Sequence, residues 1–329
     1  MQAVVTGGAG FIGSHLCDYL IAHGHEVVAL DDMSTGSEDN LQQLVGNPSF
    51  ELVKGSILDK ELVNDLISGS DTVFHLAAAV GVHTIVDNPL SSLRTNLHGT
   101  ENVVEAAAEH GARYMVASTS EVYGKNDSDG LTENADRILG SPLKSRWSYA
   151  AAKGLDELVA YVYGEETGLP CVITRFFNIV GPRQTGRYGM VVPRFVSQAL
   201  AGEPITVYGD GRQRRCFGSV FDIIPAVVEL LENPSGHTQA VNLGGMEEVS
   251  IKGLADRVIQ LTGSSSEIRF IPYEDAYGAG YEDMQRRMPD TTLARQLIGY
   301  EPQRSLDDII MSIIEHKRAD AEPSPAAIR

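Results

Sequence analysis

Cysteine is scarce in this chain, and basic residues are outnumbered by acidic ones. The 329 residues include only Cys17, Cys171 and Cys216, which are widely separated. Three thiols at such spacing exclude a disulfide framework and a Cys-x-x-Cys metal site, so we expect no bound metal. The 26 Lys and Arg against 44 Asp and Glu give a formal net charge of −18. An acidic chain is a poor partner for nucleic acid, because phosphate backbones are bound by surplus Lys and Arg.

Long apolar runs are also missing. No segment approaches the roughly 20 apolar residues that a membrane-spanning helix needs. The first residues, MQAVVTGG, lack the basic and apolar regions of a signal peptide. We therefore expect a cytoplasmic protein without a membrane partner.

The first half of the chain alternates apolar runs with helical patterns. Continuous apolar runs predict strands at 3–5, 26–30, 72–76, 113–117 and 171–175. Helical patterns cover 12–23, 59–68, 89–110 and 148–167. Strands without polar alternation are typical of a sheet covered on both faces, and strand–helix–strand order predicts parallel pairing. The predicted fold class is α/β, with a Rossmann-like doubly wound parallel sheet.

This regular alternation stops near residue 181, where short elements, Gly, Pro and clustered Arg take over. We predict a dinucleotide-binding domain at 1–180, to which the chain returns around 215–245. A smaller, mixed and discontinuous substrate lobe is predicted at 181–320. The final segment 321–329, AEPSPAAIR, has the composition of a disordered tail.

A cofactor site is indicated by TGGAGFIG, residues 6–13. Gly7, Gly10 and Gly13 follow the first predicted strand and open the first predicted helix. Glycines in this context let the backbone approach a pyrophosphate at the helix N-terminus. The second predicted strand ends in Asp31 and Asp32, where a carboxylate accepts hydrogen bonds from the adenine ribose and repels a 2′-phosphate. The pattern predicts NAD in preference to NADP.

A candidate catalytic pair lies in WSYAAAKGLDEL, where Tyr149 and Lys153 are four residues apart in a helical sequence. This spacing places both side chains on one helix face. An ammonium near a phenol favours the phenolate, which would lower the tyrosine pKa. Such a tyrosine can take the proton of a substrate hydroxyl while NAD accepts the hydride.

TGGAGFIG, HLAA (75–78), STSEVYG (118–124) and YAAAK together resemble the extended short-chain dehydrogenase/reductases. RFFNIVGPR (175–183) and VYGDGRQRRCF (207–217) resemble their nucleotide-sugar branch. The resemblance implies a nucleotide-sugar substrate, UDP-linked in the first instance, and often a homodimer packed through two long helices per subunit. It also implies cofactor contacts from Phe11, Ile12, Ser56, Ile57, Leu76, Ala77, Ala78 and Asn96, in addition to the residues above.

Members of this branch with different activities differ most at the turn that corresponds to STSEVYG. Thr119, Ser120 and Glu121 match the pattern of UDP-glucuronate decarboxylases and of GDP-mannose 4,6-dehydratases. A second segment, YGAGYEDMQRRMPD (277–290), resembles bacterial UDP-glucuronate decarboxylases and implies that Tyr281 contacts the diphosphate and Arg287 lies near the sugar carboxylate. The most favoured activity is decarboxylation of UDP-glucuronic acid to UDP-xylose through a 4-ketone, with Thr119, Glu121, Tyr149, Lys153 and Arg287 as catalytic residues.

Several alternatives stay open. The same residues are compatible with a UDP-sugar 4-epimerase or a nucleotide-sugar 4,6-dehydratase, and a hydroxyl–acid turn is also typical of a helix N-cap. The resemblance further implies substrate contacts from Ser120, Asn178, Arg183, Arg194, Tyr208, Arg215, Tyr281 and Arg287. Each of these could instead have a structural role.

Overall fold

The protein was analysed as a computed structural model that describes residues 1–79, 89–186, 190–277, 282 and 284–321. Its helices are α1 Phe11–Ala22, α2 Lys60–Ile67, α3 Pro89–His110, α4 Ser148–Thr167, α5 Val191–Leu200, α6 Val220–Glu232, α7 Ile251–Thr262, α8 Tyr273–Tyr277, α9 Thr292–Ile298 and α10 Leu306–Ala321. Its strands are β1 Gln2–Thr6, β2 Glu26–Asp31, β3 Phe50–Lys54, β4 Thr72–His75, β5 Arg113–Thr119, β6 Cys171–Phe177, β7 Ile179–Val180, β8 Ile205–Tyr208, β9 Arg214–Cys216, β10 Gly218–Ser219, β11 Gln239–Gly244, β12 Glu248–Ser250, β13 Ile268–Ile271 and β14 Arg286–Arg287.

Seven parallel strands form the main sheet in the order β11-β6-β5-β4-β1-β2-β3. The central strands are mainly apolar, and β4 and β6 are buried along their whole length. Strand β3 lies at the edge and is only partly buried, and it carries the charged residues Glu51 and Lys54. The predicted Rossmann-like α/β fold class is confirmed.

The sheet is covered on both faces. One core joins α1, α6 and α9 to one face through residues such as Leu16, Ile223 and Ala294. A second core joins α2, α3 and α4 to the other face through residues such as Val63 and Val103. The predicted helices agree with α1 to α4 within a residue at each end.

The C-terminal part builds a separate core from α5, α7 and α10 with strand β8. Two small sheets flank it, one with the order β12-β9-β14 and one pairing β13 with β8. Between these elements β11 pairs with β6 at the edge of the main sheet. The division at residue 181 stays a prediction, and residues 322–329 of the predicted tail lie outside the described residues.

The carboxyl ends of the parallel strands position the site. Strand β1 leads into the glycine loop, β2 ends at Asp31, β5 ends at Thr119, and β6 is followed by Asn178. Ligands in open α/β sheets bind at this edge, where neighbouring crossover connections diverge. None of the described helices combines the length and apolar character of a membrane span.

Candidate active site

A cavity of about 790 Å³ lies along this sheet edge, between the main sheet and the C-terminal lobe. It extends from the glycine loop and Asp31 to Tyr149, Tyr208 and Arg287. No group of three or more His, Cys, Asp or Glu with the geometry of a metal site occurs in the described part of the chain.

The glycine loop is shaped to receive a phosphate-bearing ligand. A Cβ on Gly13 would lie 2.1 Å from the Gly7 carbonyl oxygen, and one on Gly7, which has φ +72°, would lie 2.8 Å from the Ala77 nitrogen. Helix α1 begins after Gly10 without a side-chain cap, so its amino end faces the cavity uncapped by the protein. A helix amino end of this kind binds phosphate oxygens through its N–H groups. The loop therefore fits the pyrophosphate of a dinucleotide.

The two aspartates at the end of β2 differ in their surroundings. Asp31 is buried and accepts hydrogen bonds from Ala9 N at 2.9 Å and Met33 N at 2.8 Å. Burial raises the pKa of Asp31, although these hydrogen bonds oppose the shift. Asp32 is exposed and accepts a hydrogen bond from Ser34 N. Both line the cavity, with Asp31 also fixing the glycine loop.

Most other residues predicted to contact the cofactor line the same cavity: Phe11, Ile12, Ile57, Leu76, Ala77 and Ala78. Ser56 and Asn96 are not among the described residues that line this cavity. Ser56 accepts a hydrogen bond from Leu58 N through its hydroxyl and shapes the turn after β3. Asn96 is buried on α3 and exchanges hydrogen bonds with the backbone of Ala79. Their contact with the cofactor stays a prediction.

The hydroxyl–acid turn follows β5 directly. Thr119 is the N-cap of a short 3₁₀ turn, Ser120–Tyr123, and its hydroxyl accepts a hydrogen bond from Glu121 N at 3.2 Å. The capping interpretation is therefore correct for this hydroxyl, yet Thr119, Ser120 and Glu121 all line the cavity.

A buried ion pair supports the turn from below. Glu157 on α4 accepts hydrogen bonds from the Ser118 hydroxyl and from Arg175 Nε and Nη2, the last two at 2.8 and 2.7 Å. Arg175 also donates to the hydroxyl of Tyr123 at 2.9 Å. This network joins β5, β6 and α4 and holds the turn rigidly against the sheet.

Glu121 lies between two guanidinium groups. Arg146 Nη1 is 2.6 Å from Glu121 Oε2 and its Nη2 is 3.3 Å from Oε1, while Arg287 Nη1 is 3.4 Å from Oε1. Arg287 also donates to the Ser120 hydroxyl at 3.3 Å. Burial alone would raise the pKa of Glu121, but Arg146 and Arg287 outweigh it and the pKa is lowered. Glu121 is therefore ionised at neutral pH.

Tyr149 and Lys153 both face the cavity from the first turns of α4, as the i, i+4 spacing predicts. The expected lowering of the tyrosine pKa is wrong for the protein without cofactor. Burial and the carboxylates of Glu121 and Asp156 raise the pKa of Tyr149 well above its usual value. Lys153 is itself buried, with its ammonium 3.1 Å from Asp156 Oδ2. The nearby carboxylate offsets part of the charge that the prediction relied on.

The predicted substrate residues Asn178, Arg183, Arg194, Tyr208 and Arg215 line the other side of the cavity. Arg194 stacks over the Tyr208 ring with 4.0 Å from its Cζ to the ring centroid. Asn178 Nδ2 donates to the Cys216 carbonyl at 2.8 Å, and Arg183 Nη2 lies 2.7 Å from Asp18 Oδ2. Tyr281 lies outside the described residues.

Sequence reasoning missed Arg146, which lines the cavity beside Tyr149 and contacts Glu121. The available signal was its position three residues before Tyr149, in the turn that leads into the same helix. Its partner Glu121 is 25 residues away in sequence, so only the fold brings the two together.

Comparison with known proteins agrees with this geometry. Residues 3–244 match the NAD dependent epimerase/dehydratase family. A UDP-N-acetyl-alpha-D-glucosaminuronate decarboxylase from Bacillus cytotoxicus is 39% identical over 95% of this chain and 97% of its own. UDP-glucuronic acid decarboxylase 1 from Xenopus tropicalis is 36% identical over 100% of this chain and 77% of its own.

A solved structure extends the comparison to bound ligands. The UDP-glucuronic acid 4-epimerase of Bacillus cereus, in complex with UDP-glucuronic acid and NAD, superimposes with a TM-score of 0.87 at 29% identity. The superposition covers 97% of this chain and 99% of the epimerase. The predicted resemblance is confirmed: the chain belongs to the NAD-dependent epimerase/dehydratase family, and NAD is its cofactor.

Proposed function

We propose that the protein decarboxylates a UDP-linked hexuronate, with UDP-glucuronic acid as substrate and UDP-xylose as product. The observation that carries the proposal is the ionised Glu121 held between Arg146 and Arg287, next to Tyr149 in the cofactor cavity. A site built from one carboxylate and two arginines is suited to a substrate that carries its own carboxylate. The two decarboxylases at 39% and 36% identity support this assignment.

Tyr149 is the proposed base for the first step. Its phenolate takes the proton of the C4 hydroxyl, and Thr119, at the end of β5, donates a hydrogen bond to the same oxygen. When bound, NAD supplies the hydride acceptor for C4 and later the donor, and its positive charge in the oxidised form opposes the raised pKa of Tyr149. Lys153 adds a second positive charge on the same face of α4.

The C4 ketone makes the carboxylate at C5 a leaving group. The electron pair of the bond between C5 and the carboxylate carbon moves into the ketone as an enolate, and carbon dioxide leaves. A proton from solvent then adds to C5, and return of the hydride to C4, with the proton of Tyr149 passing back to the C4 oxygen, gives the pentose. Arg287 binds the substrate carboxylate that will leave as carbon dioxide. The negative charge of Glu121 repels the same carboxylate and so raises the energy of the bound substrate before the bond breaks.

Two relatives define the competing substrates and outcomes. The Bacillus cytotoxicus enzyme named for an N-acetylated uronate favours a substrate with a 2-acetamido group as the second candidate. The predicted 4-epimerase alternative is represented by the Bacillus cereus structure. Since all three reactions begin with the same C4 oxidation, product structure and not NADH formation must separate them.

Incubation with NAD and either UDP-glucuronic acid or its 2-acetamido analogue is the direct test. We expect a product lighter by one carbon dioxide from UDP-glucuronic acid, identified by mass spectrometry and by proton NMR of the sugar ring. A product of unchanged mass with inverted C4 would replace the proposal with epimerisation. Faster release of carbon dioxide from the acetamido substrate would reassign the substrate and leave the reaction type intact.

We also propose that the protein is a homodimer. Helix α4 carries an exposed apolar stripe, Leu155, Leu158, Tyr161 and Val162, at helical spacing. An uncovered stripe of this kind is suited to packing against its copy in a second subunit.

Light scattering after size exclusion is expected to give twice the mass of one chain for the wild type. Leu158→Glu should give mostly monomer, because it places charge in the apolar contact. Val45→Glu, at an exposed apolar residue outside α4, is the matched control and should stay dimeric. A monomeric wild type, or a dimer unaffected by Leu158→Glu, would contradict the proposed contact.

A further inference from the structure

Arg146 holds Glu121 in the proposed site but has no step of its own in the proposed reaction. It belongs to the 3₁₀ turn Ser145–Trp147, which runs directly into α4 and precedes Tyr149 by three residues. Its side chain is 9% exposed and lines the cavity. A guanidinium held there is part of the site and is not a solvated surface charge.

The Arg146 side chain is oriented by the residue that follows it. Its Cζ lies 5.3 Å from the centre of the Trp147 ring, and Trp147 is 2% exposed. The indole Nε1 donates to Glu282 Oε2 at 3.1 Å, and Lys125 Nζ lies 2.7 Å from the same oxygen. A Cβ on Gly140 would come within 2.1 Å of the indole nitrogen, so the ring is tightly enclosed. Arg146 therefore stacks on a fixed aromatic surface.

The contact of Arg146 with Glu121 is closer than that of Arg287. Arg146 approaches both carboxylate oxygens, at 2.6 and 3.3 Å, whereas Arg287 approaches one, at 3.4 Å. A two-pronged guanidinium–carboxylate contact fixes the plane of the carboxylate as well as its charge. Arg215 on β9 and Tyr149 on α4 also interact electrostatically with Glu121.

We infer that Arg146 is a positioning residue that fixes the orientation and the negative charge of Glu121, and that it acts on the reaction through this carboxylate. The inference rests on the proposed function for the part that Glu121 plays in decarboxylation. Arg287 remains the arginine that meets the sugar carboxylate, because it reaches the turn from β14 across the cavity. The low pKa of Glu121 is consistent with this division of roles.

The test combines a titration with a double-mutant cycle. Carboxyl-labelled glutamate NMR, with Glu121→Gln identifying the resonance, follows the ionisation of Glu121 without any turnover. In Arg146→Met the titration midpoint should move upward by about 1 to 3 pH units, because an adjacent positive charge is lost. Arg146→Lys keeps the positive charge, so the titration midpoint of Glu121 should lie close to that of the wild type. Lysine cannot make the two-pronged contact, so the plane of the Glu121 carboxylate should no longer be fixed.

In the kinetic arm, release of carbon dioxide from UDP-glucuronic acid is measured. Arg146→Met alone should lower kcat by roughly 10- to 100-fold with little change in KM. In a Glu121→Gln background the same substitution should have almost no further effect, since the group through which it acts is gone. Thermal unfolding and NAD affinity check that each variant is folded.

An unchanged midpoint in both Arg146 variants would overturn the inference. So would an equal loss of kcat in the presence and absence of Glu121, or a selective loss of affinity for UDP-glucuronic acid relative to UDP-glucose, because either would show direct contact with the substrate. If the wild type releases no carbon dioxide, the proposed function fails, while the NMR titration still decides whether Arg146 sets the charge of Glu121.

Discussion

Replacing Tyr149 by Phe is expected to reduce turnover by roughly 100- to 10,000-fold, the range typical of a lost general base. The substitution removes one oxygen atom and leaves the ring that lines the cavity. Without a proton acceptor at C4 the hydroxyl cannot be oxidised, so all three candidate reactions stop at their common first step. The measurement is product formation from UDP-glucuronic acid, together with NADH absorbance in a single turnover.

The control for this variant lies on the same helix. Tyr163→Phe removes a hydroxyl from α4 outside the described lining of the cavity and should leave kcat within about twofold of the wild type. NAD should bind to Tyr149→Phe with affinity close to that of the wild type, because the glycine loop and Asp31 are unchanged. Substantial residual hydride transfer in Tyr149→Phe would show that another group takes the C4 proton.

The pH dependence of this step follows from the direction of the tyrosine pKa. In the protein alone, burial and the carboxylates of Glu121 and Asp156 raise the pKa of Tyr149, so the phenol is protonated at neutral pH. Added positive charge from the oxidised cofactor lowers that pKa toward the working range. The acidic limb of the profile of kcat against pH therefore reports Tyr149 in the loaded enzyme.

Glu121→Gln is expected to lower kcat for carbon dioxide release by roughly 100-fold while KM for UDP-glucuronic acid falls or stays constant. The amide keeps the shape of the side chain but removes its negative charge from between Arg146 and Arg287. Arg287, which meets the sugar carboxylate in the proposed reaction, then attracts that carboxylate more strongly in the ground state than the wild type allows. A fall in both kcat and KM is the pattern expected when ground-state destabilisation is lost.

Single-turnover absorbance separates this defect from that of Tyr149→Phe. Oxidation at C4 does not require Glu121, so NADH should form and persist in Glu121→Gln. Glu109→Gln, at an exposed carboxylate on α3, serves as the matched control and should behave as the wild type. Loss of NADH formation in Glu121→Gln would instead assign the glutamate to the first proton transfer.

Much of the fold could be predicted from the local pattern of apolar, polar and glycine residues in the sequence. Continuous apolar strands alternating with helices favour a parallel sheet covered on both faces, and glycines at the first turn indicate where a pyrophosphate can approach. The spacing of Tyr149 and Lys153 likewise determines that both lie on one helix face. These features depend on residues close together in sequence, which is why they could be predicted.

The surroundings of the titratable groups could not be predicted in this way. Asp156 follows Lys153 by three residues, but its effect on Tyr149 depends on the burial of all three side chains. The backbone partners of Ser56 and Asn96, which are Leu58 N and Ala79 N, likewise depend on how the loops pack.

By itself, then, the amino-acid sequence determined the alternation of strands and helices, the glycine loop and the helix that carries Tyr149 and Lys153, because each rests on short-range periodicity and backbone sterics. Only the tertiary structure decided which charges meet. Glu121 lies on the 3₁₀ turn after β5, Arg146 on the 3₁₀ turn before α4 and Arg287 on β14, and their contact arises where these elements converge at the edge of the sheet. Electrostatic effects depend on the distances between charges and on their burial, and neither quantity can be derived from the spacing of residues along the chain.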